Sequence, residues 1–262
     1  MEKQTKITLL ILSAILFSMT GCKKSPFDMF TATGPIVTET REFSEFFCRI
    51  KMHDNVDVEL ISGNEQKVEI TAGENLMQKI KTTLTDDSCL IIANENECNW
   101  VRSYDKPLKV RVYYKEMETI YYHSVGNLTS MDTIRGFLTQ IQQDSSYRKY
   151  FSIFVEEGSG DIDLKVNCEW NSIVLLYGTA AIKVSGYSHV NFINSYSYGY
   201  IDAQYLITNH TYANLTGSND CRVRAKNELS VTITNIGDMY YYGNPQKVSR
   251  EGNGKGRLLK ME

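Results

Sequence analysis

The feature that most constrains the fold is a repeat of about 20 residues in the C-terminal half of the chain. Its segments align on a central apolar residue, with separations of 20, 19, 20, 18 and 19: Ile162, Ile182, Ile201, Cys221, Met239 and Leu258. Four residues earlier stands a column of turn formers: Gly158, Gly178, Ser197, Gly217, Asn235 and Gly254. Eight residues earlier stands a column that is apolar until its last member: Phe154, Val174, Ile193, Ala213, Val231 and Arg250. This period predicts a parallel β-helix, because each coil must return to the same place and stack on the one before.

The remaining pattern also favours strands. The segments VDVEL, KVEI, CLII, LKVRVYY and DIDLKV alternate between apolar and polar residues, as half-buried strands do. Thr133–Ser146 could form a short helix or a loop insertion. We therefore predict an all-β chain built as a single-stranded parallel β-helix with about 18–20 residues per coil. A β-sandwich is the second candidate, but its strands would lack this column register.

The last coil has the composition of a cap. In GDMYYYGNP (237–245), Met239 and Tyr241 are predicted to point inward, and the tyrosines that follow each of them are predicted to point outward. The core columns then receive cations, Arg250 and Lys260, in place of apolar residues. Terminal repeats are atypical because nothing stacks beyond them, so the tyrosines are predicted to fill and close this end.

The N-terminus, MEKQTKITLLILSAILFSMTGCKKS, reads as a cleaved signal. Two lysines precede the apolar run Ile7–Phe17, which at about 11 residues is too short to span a bilayer. The end of the run resembles the lipobox of bacterial lipoproteins, in which the cysteine is lipidated and becomes the first residue. Residues 1–21 are thus predicted to be the signal peptide and Cys22 the lipidation site. An ordinary signal peptide with a chance cysteine is the alternative.

The segment after Cys22 bears on location. Lysines rather than Asp follow the cysteine, which points away from inner-membrane retention and towards the outer membrane. Residues 22–40 are predicted to be a tether and residues 41–262 the folded domain. The expected membrane contact is through the lipid anchor alone.

Composition argues against one class of partner, and the spacing of the cysteines does not identify a metal site or a disulfide framework. A net charge of −3 argues against a nucleic-acid-binding protein, which usually presents a basic face. After Cys22 the chain has five cysteines with no CxxC spacing: Cys48, Cys89, Cys98, Cys168 and Cys221. Most are predicted to be small buried apolar residues. One disulfide is the alternative, and Cys89 and Cys98 are the pair nearest in sequence.

No motif for catalysis, a metal or a cofactor is present. The four histidines, His53, His123, His189 and His210, form no HExxH or HxH grouping, and GxSxG and GxxxxGK[ST] are absent. The best acidic patch is Asp161 with Asp163, which are predicted to point outward on either side of a core residue. Paired carboxylates can serve in carbohydrate-active enzymes. Carboxylates on a solvated face look the same in sequence.

Six tyrosines are predicted to lie on the outer surface: Tyr187, Tyr196, Tyr198, Tyr200, Tyr240 and Tyr242. Such rings can stack on sugars or contact a protein, because they bring a large area at low cost in entropy. Columns of tyrosine also stabilise sheets without any ligand.

Residues from about 41 to 259 resemble the putative auto-transporter adhesin head GIN domain family, common in lipoproteins of Bacteroidetes. The matching stretches are NVDVELISGNEQKVEITAGENLMQKIKTTLTDDSCLII, LKVRVYY, EEGSGDIDL, and GDMYYYGNP followed by GNGKG. The chain departs from the family at several turns that usually carry glycine and in 137–150, which looks like an insertion. The resemblance implies a right-handed parallel β-helix and no reaction.

These observations favour a non-enzymatic cell-envelope lipoprotein that presents a β-helix for binding or adhesion to a glycan or an envelope protein. The first alternative is a carbohydrate-active β-helix enzyme that uses the acidic patch. The second is a purely structural envelope scaffold.

Overall fold

The structure, a computed structural model, describes residues 33–96, 107–140 and 145–262. These residues form 18 strands joined in one continuous mixed sheet, which curls into a half-barrel. The only helix in these ranges is the single turn α1 (Glu74–Met77). The all-β prediction is confirmed, and one continuous sheet is not the two-sheet arrangement of a sandwich. No helix in the described ranges is both long enough and apolar enough to cross a membrane.

The N-terminal half of the sheet mixes parallel and antiparallel strands. Its strands are β1 (Ile36–Glu42), β2 (Arg49–Asp54), β3 (Asp57–Ser62), β4 (Lys67–Gly73), β5 (Ile80–Leu84), β6 (Cys89–Asn94), β7 (Lys109–Tyr114), β8 (Thr119–Ser124), β9 (Leu128–Ser130) and β10 (Phe137–Gln140). β2 and β3 pair in parallel with β8 and β9, while β1 with β4, β4 with β7, and β5 with β6 are antiparallel. A uniform parallel coil over 41–262 therefore does not describe this half.

The strands of the C-terminal half pair with one another in parallel. Its strands are β11 (Tyr147–Gly158), β12 (Asp161–Leu175), β13 (Ala181–Ser195), β14 (Tyr200–Leu215), β15 (Cys221–Ile233), β16 (Met239–Tyr242), β17 (Lys247–Glu251) and β18 (Leu258–Lys260). Each strand from β11 to β15 pairs with the next in chain order, and the two halves join where β8 pairs with β11 and β9 with β12.

The predicted central column is confirmed residue by residue. Six residues are partners in consecutive parallel pairs: Ile162, Ile182, Ile201, Cys221, Met239 and Leu258. The first five are buried, and Leu258 packs half-buried against the same core. Stacking equivalent apolar residues buries a continuous core that no single coil could build alone.

The column of turn formers marks a close approach between successive coils. Gly178 has a φ of +102°, and a Cβ there would lie 2.1 Å from the carbonyl oxygen of Gly158. A Cβ on Gly217 would lie equally close, at 2.1 Å, to the carbonyl oxygen of Ser197. Ser197 itself donates its hydroxyl to the carbonyl of Gly178 at 3.0 Å. Small residues stand here because the backbones touch.

The upstream apolar column was predicted wrongly in its first two members. Ile153, Ile173 and Ile193 are the stacked and buried partners, whereas Phe154 pairs with Val174 one position further on. The cause is one extra residue at the turn: the central residue follows nine positions after Ile153 and Ile173 but eight positions after Ile193. A shift of one residue moves a side chain to the other face of a strand.

The last coil is capped as predicted. Tyr241 packs half-buried against the core. The guanidinium of Arg250 donates to the carbonyl oxygens of Gly252 at 3.3 Å, Gly254 at 2.7 Å and Gly256 at 2.8 Å. The cation thus satisfies carbonyl groups at the end of the sheet, where no further coil is stacked.

Four cysteines are buried free thiols, as predicted: Cys48, Cys89, Cys168 and Cys221. Burial raises the pKa of Cys48 to about 11 and that of Cys168 to about 12. Cys98, the suggested partner of Cys89, lies outside the described residues, as does Cys22. β1 begins at Ile36, inside the segment 22–40 that was predicted to be a tether.

The segment Thr133–Ser146 holds no helix in its described part. Phe137 pairs with Tyr150 and Gln140 with Tyr147, so β10 and the start of β11 form an antiparallel hairpin. The apparent insertion at 137–150 is this hairpin, and it stands beside the outer face of β12.

Candidate functional site

An open groove of about 950 Å³ lies between the β10–β11 hairpin and the outer faces of β12 and β13. Its most distinctive lining consists of four basic residues and two aromatic residues: Arg135, Arg148, Lys149, His189, Trp170 and Tyr187. One carboxylate, that of Glu169, also lines it. A groove of this volume falls in the range typical of small-molecule sites.

The backbone before the hairpin carries Arg135 into the groove. Ile134 donates its N–H to the carbonyl of Lys165 at 2.8 Å and accepts from the N–H of Asn167 at 2.7 Å, so this segment runs along β12. At Gly136, with a φ of +72°, a Cβ would lie 2.9 Å from the carbonyl oxygen of Tyr150. Only glycine lets the chain pass this closely beneath the hairpin.

The hairpin supplies two further cations. Arg148 and Lys149 lie on β11, and the carboxylate of Glu169 on β12 accepts the backbone N–H of Lys149 at 2.8 Å. Counting Arg135, the described lining residues carry three permanent positive charges and one negative charge. The field in the groove therefore favours anions, although the chain as a whole carries a net charge of −3.

Trp170, which lines the groove, is the first ring of an aromatic ladder. Trp170 packs edge-on against Phe192 with 5.6 Å between ring centroids, and Phe192 stacks on Tyr212 at 5.8 Å. The ladder fixes the indole while leaving it half-buried at the groove surface. A ring that is held in place and partly exposed is suited to stacking on a ligand.

Asn209 orients the polar end of the groove. Its side-chain amide donates to Nδ1 of His189 at 2.9 Å and to the hydroxyl oxygen of Tyr187 at 3.4 Å. Because Nδ1 accepts this bond, the neutral ring of His189 carries its proton on Nε2. The His189 and His210 rings lie 5.6 Å apart. Asn209 thus presents both the imidazole and the phenol in fixed orientations.

The groove offers no activated nucleophile among its described lining. Cys168 is buried, its Sγ lies 3.8 Å from the hydroxyl of Ser188, and its high pKa keeps the thiol protonated at neutral pH. What this lining can do chemically is bind anions, accept and donate hydrogen bonds, and stack against rings.

The six predicted surface tyrosines separate into three groups. Tyr187 lines the groove and is 37% exposed. Tyr196 and Tyr198 are exposed at the turn between β13 and β14. The remaining three, Tyr200, Tyr240 and Tyr242, are half-buried on the outer face. The structure therefore does not gather the six into one surface.

The third group, Tyr200, Tyr240 and Tyr242, stabilises the sheet. The Arg222 guanidinium lies over the ring of Tyr200 at 5.3 Å and over that of Tyr240 at 5.9 Å, and it also donates a hydrogen bond to the Tyr200 hydroxyl. Arg224 lies over Tyr242 at 5.5 Å. Cation–π contacts between neighbouring coils account for the outward rings of 237–245.

The predicted acidic patch lies apart from the groove lining. Asp161 and Asp163 are both exposed on β12, on either side of the buried Ile162. Asp163 is in register with Lys183 of the next coil. Within the described parts of the chain, no three His, Cys, Asp or Glu side chains are grouped so that they could hold a metal ion.

Two features were not predicted from the sequence: a pair of histidines and the groove. His53 and His123 are partners on β2 and β8, with 5.5 Å between ring centroids, although 70 residues separate them. The groove was missed as well, because its permanent cations come from the apparent insertion at 137–150 and the segment just before it, whereas its rings come from the repeat. The basic residues on either side of 137–147 were the available signal.

An all-β chain that stacks its repeats into one curled sheet and bears an open basic and aromatic groove belongs to the repeat-built β proteins. Within that class the family is clear. The chain belongs to the family described as putative auto-transporter adhesin, head GIN domain, whose model matches residues 46–245. The resemblance found in the sequence is thereby confirmed.

Solved structures share the fold. A putative adhesin from Bacteroides fragilis NCTC 9343 is 17% identical with a TM-score of 0.76, and the match covers 88% of this chain and 100% of that one. A protein from Parabacteroides distasonis ATCC 8503 described as a putative lipid binding protein is 18% identical with a TM-score of 0.64, covering 88% and 99%. A putative adhesin from the same organism is 16% identical with a TM-score of 0.58, covering 88% and 100%. No curated protein matches the chain.

Proposed function

We propose that this chain is an adhesin-type binding protein of the cell envelope that captures its ligand in the groove and does not transform it. The groove lining carries the proposal: Trp170 and Tyr187 offer rings, and Arg135 and Lys149 offer charge. Family membership supports an adhesin-like role at the cell envelope. A glycan fits this lining better than a flat protein surface does, because the lining is concave.

The anchor and the coil complete the proposal. Lipidation at Cys22 would tether the domain to the outer membrane through at least two acyl chains, enough for stable attachment. The parallel stack β11–β18 would be wound as a right-handed β-helix and would hold the groove on a rigid support. Anchor, support and groove together form a binding device displayed from a membrane.

Two alternatives compete with this proposal. A carbohydrate-active enzyme would use Asp161 and Asp163, yet both are exposed, and Asp163 is in register with Lys183. This pair belongs to an outer column of charged residues in register on successive strands: Asp163, Lys183, Asp202 and Arg222. A structural scaffold would bind no glycan. It would also have no use for an indole that is held by Phe192 and left half-exposed.

A paired binding and turnover assay tests the proposal. Full-length protein in detergent is applied to a glycan array, and the glycans that bind are then incubated with it and analysed for cleavage products. We expect binding that is lost with Trp170→Ala and retained with Asp163→Asn, without cleavage. Cleavage that is abolished by Asp163→Asn would support the carbohydrate-active enzyme instead. If the protein captures neither a glycan nor a protein, the structural scaffold would be the remaining hypothesis.

A further inference from the structure

The charge and shape of the groove specify its ligand more closely. Resting on the proposed function, we infer that the groove binds an acidic polysaccharide, with sugar rings stacked on Trp170 and Tyr187 and carboxylates bound by Arg135 and Lys149. The inference assigns a ligand class to the groove and a role to each of these four side chains.

The side-chain charges of Arg135 and Lys149 in the groove have no carboxylate partner in the described part of the chain. Some basic side chains elsewhere on the outer faces are neutralised: Arg49 lies 2.8 Å from Glu118, and Lys109 lies 2.7 Å from Glu59. In the described ranges no carboxylate lies within ion-pair distance of Arg135 or of the Lys149 ammonium group. An arginine and a lysine that line the same groove and are exposed to solvent are suited to carboxylates, which guanidinium binds with two parallel hydrogen bonds.

The apolar surface continues beyond the groove. Tyr187 is in register with Ile207 on β14, and Ser185 is in register with Tyr205. Tyr205 is 70% exposed and Ile207 is 39% exposed, so the strip of ring and apolar surface crosses to the next coil. A groove open along its length with such an extension fits several units of a polymer better than one small molecule.

Hydrogen-bonding groups favour sugar over other polyanions. Asn167, the Tyr187 hydroxyl and the imidazole of His189 stand along the same wall, and Asn209 fixes two of them. These groups donate and accept, as sugar hydroxyls require. Single-stranded nucleic acid also uses cations and rings, but its proteins track a continuous phosphate backbone with a broad basic surface. This chain carries 31 acidic against 28 basic residues.

Calorimetric titration of the full-length protein in detergent tests the inference. The probes are oligomers of polygalacturonate and the same oligomers with their carboxylates methyl-esterified, which keep the sugar rings and lose the charge. We expect the acid form to bind and the ester to bind at least about tenfold more weakly, since a charge-assisted hydrogen bond is lost at each carboxylate. Binding of the acid form should also weaken as salt is raised.

Variants locate the site. Lys149→Gln and Arg135→Gln should each weaken binding of the acid form by about tenfold, and Trp170→Ala should weaken both forms. Lys226→Gln, which removes a lysine that is exposed on β15 and does not line the groove, is the matched control and should leave binding unchanged.

Each other outcome overturns the inference in an identifiable way. Equal binding of acid and ester forms, or of a neutral glycan with dependence on Trp170, would leave the proposed function standing and remove the charge assignment. Equal binding of polyglutamate, single-stranded DNA or anionic phospholipid vesicles would show a general polyanion site. If no glycan of any kind binds, the proposed function fails with it.

Discussion

A methyl group at Gly178 should disrupt the stack, because the two coils touch there. The φ of +102° lies in a region that costs an L-residue roughly 1–2 kcal/mol. The added Cβ would also stand 2.1 Å from the carbonyl oxygen of Gly158, and such overpacking typically costs about 1–3 kcal/mol. Reduced entropy of the unfolded chain returns about 0.4–1 kcal/mol. Gly178→Ala should therefore lower the free energy of unfolding by about 1–5 kcal/mol, with a central value of about 3 kcal/mol.

Urea denaturation followed by circular dichroism measures this loss. With a slope of about 3 kcal/mol per molar urea, the midpoint should fall by about 1 M. Gly63→Ala is the control, because a Cβ there meets no atom within 4 Å and its φ is not in the left-handed region. The control should change stability by no more than about 1 kcal/mol. Equal midpoints for the two variants would refute the close stacking of these coils.

Three further predictions address the outer column, pH and the anchor. Lys183→Glu should destabilise the fold and high salt should relieve the loss in urea denaturation, because Lys183 stands in register between Asp163 and Asp202; a loss insensitive to salt would contradict this. Burial, then Lys51, lowers the pKa of His53, so its contribution to stability is present above about pH 6.5 and is lost as pH falls through the folded pKa. His53→Gln should flatten thermal stability in that window, and an unchanged slope would contradict the assignment. Cys22→Ala should abolish palmitate labelling, and an unlabelled wild type would remove the lipid anchor.

The register of the C-terminal coils could be predicted because every coil repeats it. The column from Ile162 to Leu258 and the charges at 163, 183, 202 and 222 follow from counting residues between equivalent positions. The error at Phe154 and Val174 arose where the number of residues between the upstream column and the central column changes from nine to eight. One extra turn residue keeps the alternation of inward and outward side chains but shifts it by one position. Apolar residues on both neighbouring positions hid that shift.

The groove could not be predicted, because some of its residues lie in the repeat and others lie in a segment outside the repeat. Arg135 precedes the β10–β11 hairpin and Lys149 lies in it. The pairing of Ile134 with Val166 and the hydrogen bond from Lys149 to Glu169 hold these segments against β12. Nothing local to either segment encodes the contact. The strand pairing of the N-terminal half could not be predicted for a similar reason. Its strands could be recognised singly, but this half has no sequence repeat, so nothing in the sequence indicated the antiparallel pairing of β1 with β4.

The fluorescence of Trp170 tests the central claim most directly. The chain has two tryptophans, and Trp100 lies outside the described residues, so Trp100→Phe leaves the groove indole as the single reporter. Titrating this variant with polygalacturonate oligomers should change the intensity or wavelength of emission, with a midpoint equal to the calorimetric dissociation constant. Calorimetric binding accompanied by unchanged Trp170 emission would place the ligand elsewhere and contradict the account.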